Sequence, residues 1–173
     1  MYLELLVDHH TSIHSLLKHL SAFTSASILA ANAEEASRAV SRLAGLLTVH
    51  LAAEDKFLYP SLARSKDEHI RTTAARFDEE MGHLASTFLS YKEAWMTPTK
   101  IRQNPAACLD ATKEVLAALQ ERLGREDAQL YPLLQDKKTT ASPAPISQDR
   151  RGDAAVFVPK RRFTERFLIC ILS

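Results

Sequence analysis

The segment HLAAEDKFLYP, residues 50–60, returns as RLGREDAQLYP at residues 122–132. The copies agree in register at six positions, the last three of which form the shared triplet Leu-Tyr-Pro. In the first copy His50 precedes Glu54 by four residues, so on a helix both side chains share one face, one turn apart. This is a common way for a helix to offer two metal ligands, and the second copy carries Arg122 in the histidine position. The repeat therefore predicts two equivalent helix ends, of which only the first keeps both ligand types.

The composition around this repeat is that of a helical globular protein. A chain of 173 residues, with 46% hydrophobic and 25% charged residues, fits one domain with a tail. Four glycines are few, which favours helices over sheets and turns. The net charge of +1 gives no global signal for nucleic acid or for a membrane surface. We therefore expect no nucleic acid among its partners.

Cysteine usage and hydropathy indicate the compartment. The two cysteines, Cys108 and Cys170, have no CxxC or other paired spacing, which predicts a reducing environment without disulfides. The N-terminal MYLELLVDHH lacks the basic region and the long apolar core of a signal peptide. No apolar run approaches the roughly 20 residues that a membrane span needs. We expect a cytoplasmic protein with no membrane span.

The first predicted helix covers residues 2–24. Its apolar residues recur at helical spacing, and His10 falls on the same stripe as the leucines. His14 lies on the flank of that stripe. Residues 21–31 are small and polar, so we expect a fraying helix end or a loop there.

The second predicted helix carries the first copy of the repeat. Asn32 followed by Glu35 is typical of a capping box at a helix start. The inward stripe of this helix ends in three residues, His50, Glu54 and Phe57. The proline that closes the repeat lacks a backbone N–H and is expected to end or kink the helix near the preceding tyrosine.

The third and fourth predicted helices follow after short connections. Ser65 followed by Glu68 is a second capping-box candidate, and this helix runs to about Trp95. A loop bracketed by two X-Pro pairs comes next. Asn104 as N-cap with Pro105 at the first helical position then predicts the start of the fourth helix, which carries the second copy.

Four helices joined by short connections predict an all-α fold, an antiparallel up-down-up-down four-helix bundle. We place this domain at residues 1–135. From residue 136 the composition changes to KKTTASPAPISQDRRGD, which is typical of a linker, and the chain ends in a basic and apolar piece. Residues 136–173 are therefore predicted to be a disordered or loosely docked tail, and the disordered alternative is favoured.

Several polar side chains lie in apolar seams of these helices and could meet in the bundle core, namely His10, His50, Glu54, Arg122 and Glu126. A buried carboxylate is costly unless it is paired. One partner is a metal ion, since imidazole and carboxylate together suit iron, manganese or zinc. The other is Arg122, whose guanidinium can bind one or both carboxylates in place of the cation. The repeat tyrosines, Tyr59 and Tyr131, are expected to anchor the helix ends by packing.

At these residues the chain resembles the hemerythrin-like family, which has an HHE cation-binding domain. The resemblance rests on three stretches, Asp8-His9-His10, His50-x-x-x-Glu54 continuing to Tyr59-Pro60, and Glu126-Asp127 continuing to Tyr131-Pro132. It covers about residues 1–135. It implies a four-helix bundle with a non-haem di-iron site that binds oxygen or serves iron storage or oxygen, redox or nitric-oxide sensing.

Carried over position by position, the resemblance implies two imidazoles and two carboxylates as metal ligands, His10, His50, Glu54 and Glu126. Arg122 stands where the family has the histidine of its second motif, and Met81 aligns best with the family's helix-three histidine. His14 and His83 are secondary candidates, although His83 points about 200° away from Met81 around the helix. A complete five-histidine di-iron site cannot be assembled from these residues.

Two functions from different classes remain open. In the first, the protein binds iron as a mono- or dinuclear centre, or another divalent metal, and binds or senses oxygen-related or redox-related small ligands such as diatomic molecules. In the second, no metal binds, Arg122 replaces the cation, and the bundle is an interaction or regulatory module. No nucleophile with an adjacent base and no phosphate-binding loop is evident in the sequence, so we do not expect an enzyme.

Overall fold

The computed structural model describes residues 2–134, and this part of the chain is all-helical, with no strand. The helices are α1 Tyr2–Ser21, α2 Ala26–Ala31, α3 Ala33–Ala53, α4 Tyr59–Ala63, α5 Glu68–Trp95, α6 Pro98–Gln103 and α7 Pro105–Arg125, with π-helical turns at Glu54–Leu58 and Glu126–Leu130. None of these helices combines the length and the apolar character that a membrane crossing requires. The tail predicted at residues 136–173 lies outside the described residues.

The four long helices surround the core. Helix α1 packs against α3 and α7, and α5 packs against the same two helices. The short helices α2 and α6 contact α7 and α3, respectively, and each other. The buried apolar side chains form a large cluster that includes Ile13, Leu51, Met81 and Leu123, and a small cluster that includes Leu6, Leu58, Phe77 and Leu130. Burial of these two clusters is the main stabilising contribution available to the fold.

The two clusters are separated by a layer of polar side chains. Along α1 a histidine lies between members of the two clusters, in the order Leu6, His10, Ile13. The two copies of the repeat place a glutamate in the same way, in the orders Leu51, Glu54, Leu58 and Leu123, Glu126, Leu130. The polar residues are thus enclosed by apolar side chains on both sides along the helices.

Each copy of the repeat forms a π turn. The N–H of Tyr59 donates to the carbonyl of Glu54, and that of Tyr131 donates to the carbonyl of Glu126 at 2.9 Å, so both bonds span five residues. The predicted helix end near Tyr59 is wrong, because the helical path continues through Pro60, in the first turn of α4, to residue 63. The kink, given as the alternative, stays a prediction.

The π turn also changes which side chain enters the core. It adds one residue to the helical repeat, so the face that an α-helix would bury shifts by one position. Phe57, predicted to point inward, is 43% exposed, whereas Leu58 is 0% exposed. The prediction for Phe57 is therefore wrong, and the cause is the assumption of an unbroken α-helical period.

Both connections predicted as irregular contain a short helix. Residues 21–31 include α2, where the hydroxyl of Ser25 accepts from the N–H of Ile28 at 3.3 Å. The stretch between the two X-Pro pairs forms α6, with Pro98 in its first turn. These two predictions are wrong because short capped helices leave little periodic signal in a sequence.

The helix starts agree only partly with the predicted caps. The Asn104 side chain accepts from the N–H of Ala107 at 3.3 Å, and Pro105 begins α7, as predicted. Asn32 does not cap α3, since its side-chain amide donates backwards to a carbonyl of α2. Helix α5 is capped by Asp67 rather than by Ser65.

Candidate metal centre

Five polar side chains meet in the layer between the two apolar clusters, and all are at most 5% exposed: His10, His50, Glu54, Arg122 and Glu126. Of these, His10, His50 and Glu126 each offer one ligand atom, and the three atoms lie within 4.8 Å of one another. They come from α1, from the end of α3 and from the second π turn. Residues distant in sequence thus converge on one point.

His10 is oriented by a carboxylate. Its Nδ1 lies 2.8 Å from Oδ1 of Asp127, an acceptor, so the proton belongs on Nδ1 and the lone pair of Nε2 faces the core. Nε2 lies 2.8 Å from the hydroxyl of Tyr131 and 3.2 Å from Oε2 of Glu126. A carboxylate on the outer nitrogen is the usual way to fix the tautomer of a metal-ligating histidine.

His50 is a neutral imidazole beside Glu54. Burial lowers the pKa of His50 to about 3, so this side chain carries no proton charge near neutral pH. Its Nε2 lies 3.8 Å from Oε1 of Glu54, and its ring centroid lies 4.9 Å from that of His10. The half-buried ring of His9 contacts it edge-on at 5.9 Å.

The pKa values of the two glutamates are shifted in opposite directions. Burial raises the pKa of Glu54 well above its usual value, and the charge of Glu126 raises it further. Burial opposes ionisation of Glu126 too, but the charge of the adjacent Arg122 guanidinium helps to lower its pKa below the usual value. Without a metal the centre holds an ion pair between Arg122 and Glu126, and burial favours the protonated form of Glu54.

Arg122 fills one side of the centre. Its Nε donates to Oε1 of Glu126 at 2.5 Å, and its Nη2 donates to the hydroxyl of Tyr59 at 3.0 Å. Its guanidinium lies over the ring of Phe77, with Cζ 4.6 Å from the centroid, and its Nη1 is 3.5 Å from Oε2 of Glu80. Glu126 therefore places one oxygen on the guanidinium and the other towards His10.

The residues present fit a metal ion. Within residues 2–134, four buried atoms that could bind a cation have no hydrogen-bond partner, His9 Nδ1, His50 Nδ1, Glu54 Oε2 and Glu126 Oε2. Buried polar atoms without a partner are rare in proteins and call for an explanation. Imidazole nitrogens together with carboxylate oxygens are the ligands of iron, manganese and zinc sites. A cation held by His10, His50 and Glu126 would give buried polar groups of the centre a partner.

The remaining candidates do not join this cluster. His14 and His83 are exposed and stand outside the group of possible ligands found in residues 2–134. Met81 is buried within the large apolar cluster, so α5 places a thioether there and no imidazole. On the side that faces α5, the ring of Phe77 and the guanidinium of Arg122 close the centre.

The sequence analysis missed the contacts made by three side chains. Asp127 orients His10, His9 packs on His50, and Tyr131 contacts His10 and Glu54 with its hydroxyl. The repeat contained a signal for Asp127 and Tyr131, since both are identical between the two copies. Nothing local to the sequence distinguishes His9 from an exposed histidine.

Comparison with known proteins places the chain in a family. The sequence model of the hemerythrin HHE cation-binding domain matches residues 1–147 of the 173. Searches of curated proteins and of solved structures give no significant match. The match covers the repeat, all four long helices and every residue of the centre. The chain therefore belongs to the hemerythrin HHE cation-binding domain family.

Proposed function

We propose that this protein binds one non-haem iron ion and uses it to bind or sense small oxygen-related or redox-related ligands. The proposed ligands are His10, His50 and Glu126, and Glu54 is proposed as the fourth. The observation that carries this is the convergence of three buried ligand atoms within 4.8 Å. One of them belongs to Glu126, whose Oε2 has no hydrogen-bond partner in the part of the chain that the structure describes. Bound iron would supply an open coordination position and a change of oxidation state.

A single ion is proposed because Arg122 already provides the second positive charge. Its guanidinium holds Oε1 of Glu126, which leaves the other oxygen for a metal. A fixed positive charge within about 4–5 Å repels a second cation strongly in a buried site. Met81, in the family's helix-three position, supplies no nitrogen on that side.

The role proposed is binding rather than catalysis. Burial raises the pKa of the Cys108 thiol to about 11, so it is a poor nucleophile at neutral pH. The cytoplasm is the proposed location, on the cysteine usage alone. The protein's partners on this proposal are the metal ion and a diatomic ligand.

The topology proposed for residues 1–135 is an up-down-up-down bundle. Helices α1 and α5 pass from the small cluster to the large one, as Leu6 to Ile13 and Phe77 to Met81. Helices α3 and α7 each pass from the large cluster to the small one. The alternation supports antiparallel neighbours, and residues 136–173 are proposed to be a separate tail.

The test is metal content after purification without chelators and after anaerobic reconstitution with ferrous iron. Elemental analysis should give about one iron per chain, since the guanidinium repels a second cation. The His50→Ala variant should lose it, whereas His14→Ala, at an exposed position, should retain it. Background iron in the wild-type protein, or equal iron in both variants, would overturn the proposal. The absorbance spectrum under air should then change on adding a diatomic ligand.

A second function is favoured by the Arg122–Glu126 ion pair. This pair neutralises the centre without a metal, as an interaction or regulatory module would need. The two proposals differ in their response to chelators. The metal-free module would be supported by background metal content and by a melting temperature that a strong chelator does not change. A large decrease in melting temperature on adding the chelator would exclude it.

A further inference from the structure

The hydroxyl of Tyr131 lies inside the candidate metal centre, among the ligand atoms. It is 2.8 Å from His10 Nε2 and 3.4 Å from Glu54 Oε1. Tyr131 is 3% exposed, and its ring lies 4.9 Å from the ring of His10. A side chain that served only to pack the helix end would not need its oxygen at this point.

The spacing of these atoms is that of neighbouring ligands on one ion. Two ligands with bonds of about 2.1 Å stand about 3.0 Å apart at a right angle and about 3.4 Å apart at a tetrahedral angle. Around His10 Nε2, the Tyr131 oxygen is at 2.8 Å and Glu126 Oε2 is at 3.2 Å. The Tyr131 oxygen is 3.4 Å from Glu54 Oε1, which in turn is 3.8 Å from His50 Nε2. The phenol oxygen thus completes a chain of contacts that links all four proposed ligands.

Metal binding at His10 removes the nearer of the two acceptors of this hydroxyl. Because Asp127 holds Nδ1 of His10, the lone pair on Nε2 is the acceptor for the Tyr131 hydroxyl. An ion bound to Nε2 takes that lone pair. The hydroxyl would then keep only the longer contact, 3.4 Å to Glu54 Oε1, and it would lie beside a cation, which is costly for a buried donor. Coordination of the oxygen itself avoids this cost.

We propose that Tyr131 is a ligand of the metal and that the ion it completes is ferric iron. The inference rests on the proposed function and deepens it. On binding, the iron–oxygen bond forms, the O–H bond breaks, and the proton passes to solvent. No electron is transferred in this step. A phenolate is a hard anionic ligand, so it favours the ferric over the ferrous state and gives a ferric centre a charge-transfer absorption in the visible range.

The repeat supplies a matched control. Tyr59 occupies the same position in the first copy, but its hydroxyl accepts from Nη2 of Arg122 at 3.0 Å. It is therefore held by the guanidinium on the other side of the centre. The variants Tyr131→Phe and Tyr59→Phe each remove one hydroxyl from the same motif, and only the first removes a proposed ligand.

The experiment loads the full chain with ferrous iron, oxidises it with ferricyanide, removes the oxidant, and records iron content, absorbance and resonance Raman spectra. We expect a visible charge-transfer band with enhanced tyrosine ring modes in the wild-type protein. The band should persist in Tyr59→Phe and be lost in Tyr131→Phe while iron is retained. Ring-deuterated tyrosine should shift the enhanced modes in the wild-type protein, which tests the ligand even if Tyr131→Phe does not fold.

The other possible outcomes distinguish a failure of this inference from a failure of the proposed function. Iron bound by the wild-type protein without a tyrosine-enhanced spectrum refutes a ligand role for Tyr131 and leaves the proposed function standing. A band that survives in Tyr131→Phe does the same. Loss of the iron on oxidation also counts against a phenolate ligand. A wild-type protein that binds no iron refutes both the proposed function and this inference.

Discussion

Replacing Arg122 by alanine should be among the most destabilising single changes in this protein. The side chain is 5% exposed, and it donates to Glu126 at 2.5 Å and to Tyr59 at 3.0 Å. Its guanidinium also covers the ring of Phe77 at 4.6 Å. The substitution removes all three contacts and leaves the carboxylate of Glu126 buried without its cation.

The magnitude follows from that uncompensated charge. Breaking a buried ion pair by removing one partner costs about 3–5 kcal/mol. For a domain of this size, each kcal/mol lowers the melting temperature by about 2–4 °C, so the expected decrease is about 6–20 °C. The double variant Arg122→Met/Glu126→Gln removes the buried charge as well, so it should recover part of the loss. The cost should therefore come mainly from the orphaned carboxylate and only partly from lost packing.

The assay is urea and thermal unfolding of chelator-treated protein, followed by far-ultraviolet circular dichroism. Arg125→Ala is the control, because Arg125 lies over the same Phe77 ring at 5.0 Å and donates to Glu80 at 2.6 Å, yet its side chain is 29% exposed. Partly exposed pairs contribute about 1 kcal/mol or less. If Arg122→Ala costs no more than Arg125→Ala, the guanidinium does not hold the centre together.

Because the π turn buries Leu58 and exposes Phe57, Leu58→Ala should lower the free energy of unfolding in urea by about 2–5 kcal/mol and Phe57→Ala by about 1 kcal/mol or less. The reverse order would contradict the π turn. The Cys108 thiol is 2% exposed and its pKa is raised to about 11, so in a Cys170→Ser background it should react with a disulfide reagent at neutral pH only after denaturant is added. Asn104→Ala should lower the free energy of unfolding by about 1 kcal/mol, because the N-cap of α7 is lost. An unchanged free energy of unfolding would show that this cap does not stabilise the protein.

Helical periodicity predicted the long helices and the inward position of His10 and His50, because one buried face per helix is a strong and local signal. It failed at Phe57, where a backbone bond spanning five residues breaks the period that the argument assumes. The amino-acid types in this segment do not by themselves indicate a π turn. Capping residues were also ambiguous, since Asn32 bonds backwards to α2 rather than forwards to α3.

The centre could be predicted only in part, because its chemistry depends on pairs distant along the chain. His10 and Asp127 are 117 residues apart, and their hydrogen bond sets the tautomer of the histidine. The contact of Tyr131 with His10 spans 121 residues. The local spacing of His50 and Glu54 identifies two polar groups on one face, but their protonation depends on burial and on Arg122, which only the folded arrangement supplies.

The two π turns have a consequence for insertions and deletions. Removing one residue from 127–130 would convert that turn into ordinary α-helix with the tyrosine four residues after Glu126, so both side chains would stay on one face. Adding one further residue to an α-helical path would instead rotate everything after it by about 100° about the axis, and the side chain of Tyr131 would swing away from that of Glu126. The carboxylate and the phenol of one motif are therefore kept in angular phase by a single backbone bond, from the N–H of Tyr131 to the carbonyl of Glu126.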